Sequence, residues 1–181
     1  MTSGELITSI FSWGTLFADI LIVVFVFFLL VRNRIADRAV SWVGRNVLAL
    51  SFLFALSALV GSLLYSEFVG FEPCVLCWIA RVFLYPQVII LGLAFWRKDK
   101  NIIPYVYALS VIGAIVTLYH SFTQLGGRSF TPCTAVGGAC SKMYVLEFGY
   151  ITIPMMAFTV FLMMILTFVA AKKQSKIVSL N

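Results

Sequence analysis

Five long apolar stretches leave little choice of fold for this chain: Ile10–Val31, Val47–Val69, Trp78–Trp96, Ile102–Phe122 and Tyr150–Ala171. About 20 apolar residues are needed for a helix to cross the hydrocarbon layer of a bilayer. Lipid offers no partners for backbone N–H and C=O groups, so a spanning segment must satisfy them internally as a helix. Each stretch is therefore predicted to be a membrane-spanning helix. The polar connections are short, which implies antiparallel neighbours in a bundle. The expected fold is an all-α, polytopic membrane helical bundle forming one compact unit. Only 11% of the residues are charged and 62% are hydrophobic, whereas soluble domains carry about 25% charged residues.

The charges give the orientation. Arg32, Arg34, Arg38 and Arg45 fill the first connection, Arg97, Lys98 and Lys100 the third, and Lys172, Lys173 and Lys176 the tail. These ten cations fall on one side of a five-span alternation. Glu5, Glu67, Glu72 and Glu147 fall on the other, with Arg128 and Lys142 as its cations. Cytoplasmic loops carry the excess of Lys and Arg, so the N-terminus is expected outside and the tail in the cytoplasm. The net charge of +6 is then an orientation signal, with lipid rather than nucleic acid as the surrounding partner. No Gly-rich phosphate loop or carboxylate pair is visible, and a single histidine nearly excludes any His-dependent metal site, so no metal is expected.

All four cysteines land on the outer side. Cys74 and Cys77 sit in "PCVLCWIARVFLYP" at the start of the third span; Cys133 and Cys140 sit in the next outer loop, in "PCTAVGGAC". That compartment permits disulfides. Three uses compete. A four-cysteine zinc site favours two to four residues within each pair, which suits the first pair but not the second. A structural disulfide across a two-residue spacing closes a ring too small to constrain much of the unfolded chain. A redox relay fits better, and it is the expectation. A cysteine at a helix N-terminus is enriched in thiolate. Arg81, one turn beyond Cys77, can favour a thiolate there and hold a carbonyl or anionic ligand group; the alternative is an arginine snorkelling to headgroups. His120, in "TLYHSFTQLGG", ends the fourth span at the same level. Nearby aromatics, including Trp78, Phe83, Tyr85 and Tyr119, belong to the core or belt, and some could line a flat ligand. Electrons taken from thiols must leave the protein, and no haem, flavin or iron–sulfur motif is present. A lipid-soluble quinone remains as acceptor.

These residues resemble the DsbB family of bacterial quinone-dependent disulfide oxidoreductases, in its short-loop branch called BdbC. The resemblance rests on "CVLCWIARVFLYP", "YHSFTQ", "PCTAVGGAC" and "EFGYITIPMMAF", in that order, across about 130 residues from Val47 to the tail. It implies a bacterial cytoplasmic membrane protein with a four-helix core that reoxidises a thioredoxin-fold, DsbA-like or BdbD-like partner and passes electrons to ubiquinone or menaquinone. By position, it implies that Cys133 is attacked by the partner and Cys140 resolves that adduct. Cys74 exchanges with the loop pair, Cys77 faces the quinone, and Arg81 and His120 flank the ring. A vitamin K epoxide reductase-like protein is the nearest enzymatic alternative, although there the loop pair precedes the Cys-x-x-Cys pair. A non-catalytic structural or metal-binding membrane subunit is the other.

Two departures stand out. Residues 1–46, an extra spanning helix and a basic cytoplasmic loop, precede the DsbB-like domain at 47–181. No basic segment leads into this helix, so it is expected to be retained rather than cleaved as a signal peptide. Within it lies Asp19, a functional candidate by its membrane position, but more simply an interfacial carboxylate or one hydrogen-bonded to a neighbour. The loop between Cys133 and Cys140 is also short, and Gly137 and Gly138 would let its ring close.

Overall fold

The computed structural model describes residues 3–31, 33–127, 140 and 142–179. Among these, six helices follow one another: α1 (Ser3–Leu30), α2 (Arg34–Arg45), α3 (Val47–Leu63), α4 (Val75–Arg97), α5 (Ile103–Gln124) and α6 (Ile153–Ser179). All but α2 are long and apolar enough to cross a membrane, so the chain is a polytopic helical bundle. Helix α3 begins at Val47 as expected and α6 later than its run, at Ile153 rather than Tyr150, whereas two helices begin earlier than theirs, at Ser3 rather than Ile10 and at Val75 rather than Trp78. Hydrogen bonding continues into the polar flanks that hydropathy leaves out.

Residues 34–45, expected as part of a basic loop, instead form a helix. Asn33 supplies the reason: its side-chain oxygen accepts from Ala36 N at 2.7 Å, satisfying one of the free N–H groups of the first turn. Ala36, Val40 and Gly44 recur every four residues and are buried, so one stripe packs while the arginines stay outside. The twelve residues extend only about 18 Å, too short to cross. Gly44 lets α2 lie against α6, since a Cβ there would stand 2.9 Å from the Ala170 carbonyl oxygen.

Helices α3, α4, α5 and α6 pack in a closed ring, each against the next and α6 back against α3. Leu91, Val106, Phe161 and Met164 are fully buried in its core. Gly113 of α5 lies against the Phe161 ring, where a Cβ would collide. Lipid gives helices no hydrophobic reason to associate, so close packing and polar pairs must do it. Ser51 Oγ meets Thr167 Oγ1 at 2.9 Å, joining α3 to α6. Ser110 Oγ donates to Gln87 Oε1 at 2.9 Å, joining α5 to α4. Each such bond contributes about 0.6 kcal/mol, and together they set the helix register.

The first helix leans on α6 and α2, with Trp13, Phe17, Phe27 and Leu30 mostly exposed, as a lipid-facing side requires. Asp19 is hydrogen-bonded to neighbours, the simpler of its two expected readings. Tyr150 Oη donates to its Oδ2 at 3.0 Å, and Thr159 Oγ1 donates to its Oδ1 at 2.8 Å. At its C-terminal end, Lys173 Nζ donates to the Leu29 carbonyl at 3.3 Å. The helix is fastened at its middle and at its C-terminal end.

Candidate functional site

The connection between α3 and α4 presents the first cysteine pair. The last turn of α3 widens into a π-helical turn, Leu64–Phe68, a local irregularity common at functional sites. Gly70, with φ of +77°, then turns the chain in a conformation that side chains disfavour. Cys74 is the N-cap of α4, with extended backbone, and the Trp78 N–H to Cys74 carbonyl bond closes the first turn. Cys77 lies in that turn, so the two sulfurs approach to 3.6 Å. Both are free thiols.

From α5, His120 reaches the same point. Its Nε2 is 3.5 Å from Cys74 Sγ, and the ring is 2% exposed. Cys74 is held well below the usual thiol range, at about 4, first by the hydrogen bond from the Cys77 thiol and then by His120, with burial opposing. The sequence had pointed to Cys77, paired with Arg81, as the activated thiolate; the geometry gives that character to Cys74. Arg81 is turned elsewhere. Its Nε donates to Ser62 Oγ at 2.9 Å and its Nη2 to the Ser62 carbonyl at 3.2 Å, while the guanidinium lies 5.0 Å above the Trp78 ring. It ties α4 to α3 beside the cysteines.

Cys140 is 1% exposed and packs with Cys74 and Leu76 in a small buried cluster flanked by Cys77 and Tyr119. It is disulfide-bonded. Cys133 lies outside the described residues, as do Gly137 and Gly138.

Cys74, Cys77, Arg81, His120 and Cys140 all line one cavity of about 550 Å³. Most of its surface is apolar. Of the aromatics expected around a flat ligand, Trp78, Phe83, Tyr85 and Tyr119 are not among its lining residues; Phe11, Tyr65, Phe71 and Tyr144 are. These form a connected series, Phe11 against Tyr65, Tyr65 stacked on Phe71, and Phe71 on Tyr144 at 4.5 Å. They come from three separate segments, so no linear spacing announces them. Part of the wall is α1, through Phe11, Thr15 and Ala18, with Phe11 seated against Gly61 of α3.

Residues 44–171 match the family described as Disulfide bond formation protein DsbB. The chain belongs to the DsbB family. It is 38% identical over 137 residues to Disulfide bond formation protein C of Bacillus subtilis, covering 75% of this chain and 91% of that relative. A Probable disulfide formation protein C 2 of Bacillus cereus is 34% identical over 137 residues, 75% of this chain and 99% of the relative. The SPbeta prophage-derived disulfide bond formation protein B of Bacillus subtilis is 41% identical over 113 residues, 62% and 76% of the two chains. No solved structure matches the chain. As a DsbB-family member it is a membrane thiol–disulfide oxidoreductase, and the vitamin K epoxide reductase-like alternative is set aside. Helix α1 lies outside the family match although it walls the cavity.

Proposed function

We propose that this protein reoxidises an extracytoplasmic thioredoxin-fold partner of the DsbA or BdbD type and passes the electrons to a membrane quinone. What carries this reading is one arrangement: two free thiols, His120 and Arg81 line a single apolar cavity, with Cys140 packed behind Cys74.

The residues suit a quinone. The cavity is of a size that holds a ring, since ligand pockets run to about 300–1,000 Å³. Its aromatic wall suits a flat molecule, and Arg81 brings a multi-donor fork for a carbonyl. Gln124 also lines the cavity, and its Oε1 is buried without a partner. When bound, a quinone accepts two electrons and two protons and leaves as the quinol.

This chain's side chains do the rest. A partner thiolate attacks Cys133 of the loop disulfide and releases the Cys140 thiolate. The partner's second thiolate then cleaves the mixed disulfide, so the partner leaves oxidised and the loop pair is left as a dithiol. That dithiol next exchanges with the Cys74–Cys77 disulfide, which becomes two thiols as the loop disulfide re-forms. The placement of Cys74 and Cys140 in one small buried cluster supports this exchange. His120, beside Cys74, stabilises the negative sulfur and can hold the proton that moves. Arg81 orients the acceptor near Cys77.

Purified protein, a reduced thioredoxin-fold partner and a quinone, followed together, test this reading. Partner thiols should disappear in step with quinone absorbance, one disulfide per quinone consumed. Partner oxidation that proceeds equally well without quinone would sink it.

A further inference from the structure

The reduced site has a second chemical property. Cys74 Sγ lies 3.6 Å from Cys77 Sγ and 3.5 Å from His120 Nε2, and all three ligand atoms fall within 4.8 Å of one another. Zinc–sulfur bonds of about 2.3 Å and zinc–nitrogen bonds of about 2.0–2.1 Å, at tetrahedral angles, require separations of roughly 3.8 Å between sulfurs and roughly 3.6 Å from sulfur to nitrogen. The two separations at Cys74 meet those values with almost no movement, and the third, from Cys77 to His120, lies within 4.8 Å. A disulfide, by contrast, needs the sulfurs to close to about 2.05 Å.

We propose that Cys74, Cys77 and His120 form, in the reduced protein, a three-ligand site for a thiophilic divalent cation such as zinc. Occupation of the site holds the pair as dithiolates and blocks its return to the disulfide. The idea rests on the reading of Cys74–Cys77 as the cycling pair.

The charge balance favours it. Two thiolates and a neutral imidazole around a divalent cation sum to zero, so the complex avoids the cost of a buried net charge. Each protonated thiol that binds releases its proton to solvent, and no redox step occurs. Cys74 and His120 are almost fully buried, which shields the ligand bonds from water. The fourth position opens on the cavity that all three residues line, leaving room for a water ligand. Three protein ligands and an open position is the pattern of accessible rather than closed zinc sites. Alone, a two-residue-spaced cysteine pair is a common motif; the histidine brought from α5 makes the set tridentate. The sequence offered a four-cysteine zinc site as one alternative, and the geometry selects a different set of donors.

The test uses the full-length C133S/C140S protein, so that the loop thiols cannot bind metal. Reduced and free of oxygen, it is titrated with cobalt(II), a spectroscopic substitute for zinc. One equivalent should produce tetrahedral ligand-field bands and a thiolate-to-cobalt band, and zinc should bleach both. The same protein with Cys74 and Cys77 oxidised should give neither, a comparison that needs no further substitution. His120→Ala should keep the thiolate band but weaken affinity about ten-fold or more. A reduced protein without tetrahedral cobalt bands overturns the proposal, as does unchanged affinity in His120→Ala. Quinone oxidation of the same reduced protein is followed in parallel. Oxidation that proceeds in a protein unable to bind cobalt removes the cation site and leaves the proposed function standing. Cobalt binding in a protein that quinone cannot oxidise does the reverse. Where both hold, zinc should stop quinone oxidation and a chelator should restore it.

Discussion

Cys74 Sγ and His120 Nε2 stand 3.5 Å apart, although 46 residues separate them in the chain. This contact, with the thiol of Cys77 on the other side, lowers the Cys74 thiol below the usual range. Alkylation of the reduced protein at Cys74 should therefore persist to lower pH than that of an ordinary thiol. An ordinary thiol loses its thiolate below about 8.5. In His120→Ala one of the groups that lower the value is gone, so the fall should move to higher pH. Mass-spectrometric alkylation rates across pH measure it, and an ordinary thiol profile in the parent protein contradicts the assignment.

Cys133→Ser should abolish oxidation of the partner while the Cys74–Cys77 pair still reacts with quinone. Cys140→Ser leaves Cys133 as a lone thiol; offered oxidised partner, it should accumulate a mixed disulfide through Cys133, because no Cys140 thiol remains to close the loop disulfide and release the partner. Non-reducing electrophoresis reads both. Equal trapping through Cys140 in the reciprocal variant would reverse the order of the loop pair.

Arg81→Lys keeps a charge but loses the fork that grips Ser62 by two donors. Charged hydrogen bonds are worth about 1.5–3 kcal/mol, so the quinone KM should rise about ten-fold or more. Reduction of the loop pair by the partner should be unaffected. Ser62→Ala should show a smaller change in the same direction. A quinone dependence identical to the parent's reduces Arg81 to a packing role.

Asp19→Ala should loosen α1, since it removes the acceptor of both Tyr150 and Thr159. Intramembrane hydrogen bonds contribute about 0.6 kcal/mol on average and about 1.7 at most. At about 2–4 °C per kcal/mol for a chain of this size, the Tm in detergent should fall by a few degrees. Asp19→Asn, which retains an acceptor oxygen, should lose less.

Gly113→Ala should destabilise the α5–α6 contact, because the added methyl meets the Phe161 ring. Overpacking of this kind costs about 1–3 kcal/mol. Thermal unfolding measures it, and Phe161→Leu in the same chain should recover part of the loss. Additive losses in the double variant would locate the strain elsewhere.

The five spans were legible because lipid imposes one rule on every residue of a crossing helix. Cys74, Cys77 and His120 were legible as a level in the membrane, since helix ends and loop sides follow from the spans. Helix α2 was passed over although it was readable: Ala36, Val40 and Gly44 recur at helical spacing on one side of a segment whose arginines take the other. Asn33 was a further signal. Arg81 was predicted to share a face with Cys77, and it does line the same cavity, but Ser62 on another helix decides where its guanidinium rests. Phe83, Tyr85 and Tyr119 do belong to packed clusters and Trp78 to the exposed belt, but the aromatics that line the cavity went unmarked. Phe11, Tyr65, Phe71 and Tyr144 meet only in three dimensions.

The near-complete burial of Cys140, at 1%, and Cys74, at 6%, carries a kinetic consequence. Thiol exchange needs an attacking thiolate to line up with a sulfur, and a bulky dissolved thiol finds little of either sulfur open to it from water. The inner half of the relay is therefore insulated, as a wire is, by the packing of Leu76 and Tyr119. Such a device can stay out of equilibrium with its surroundings and discharge only to what docks or dissolves in the right place. Selectivity of this kind comes from access, and it costs the reaction no driving force.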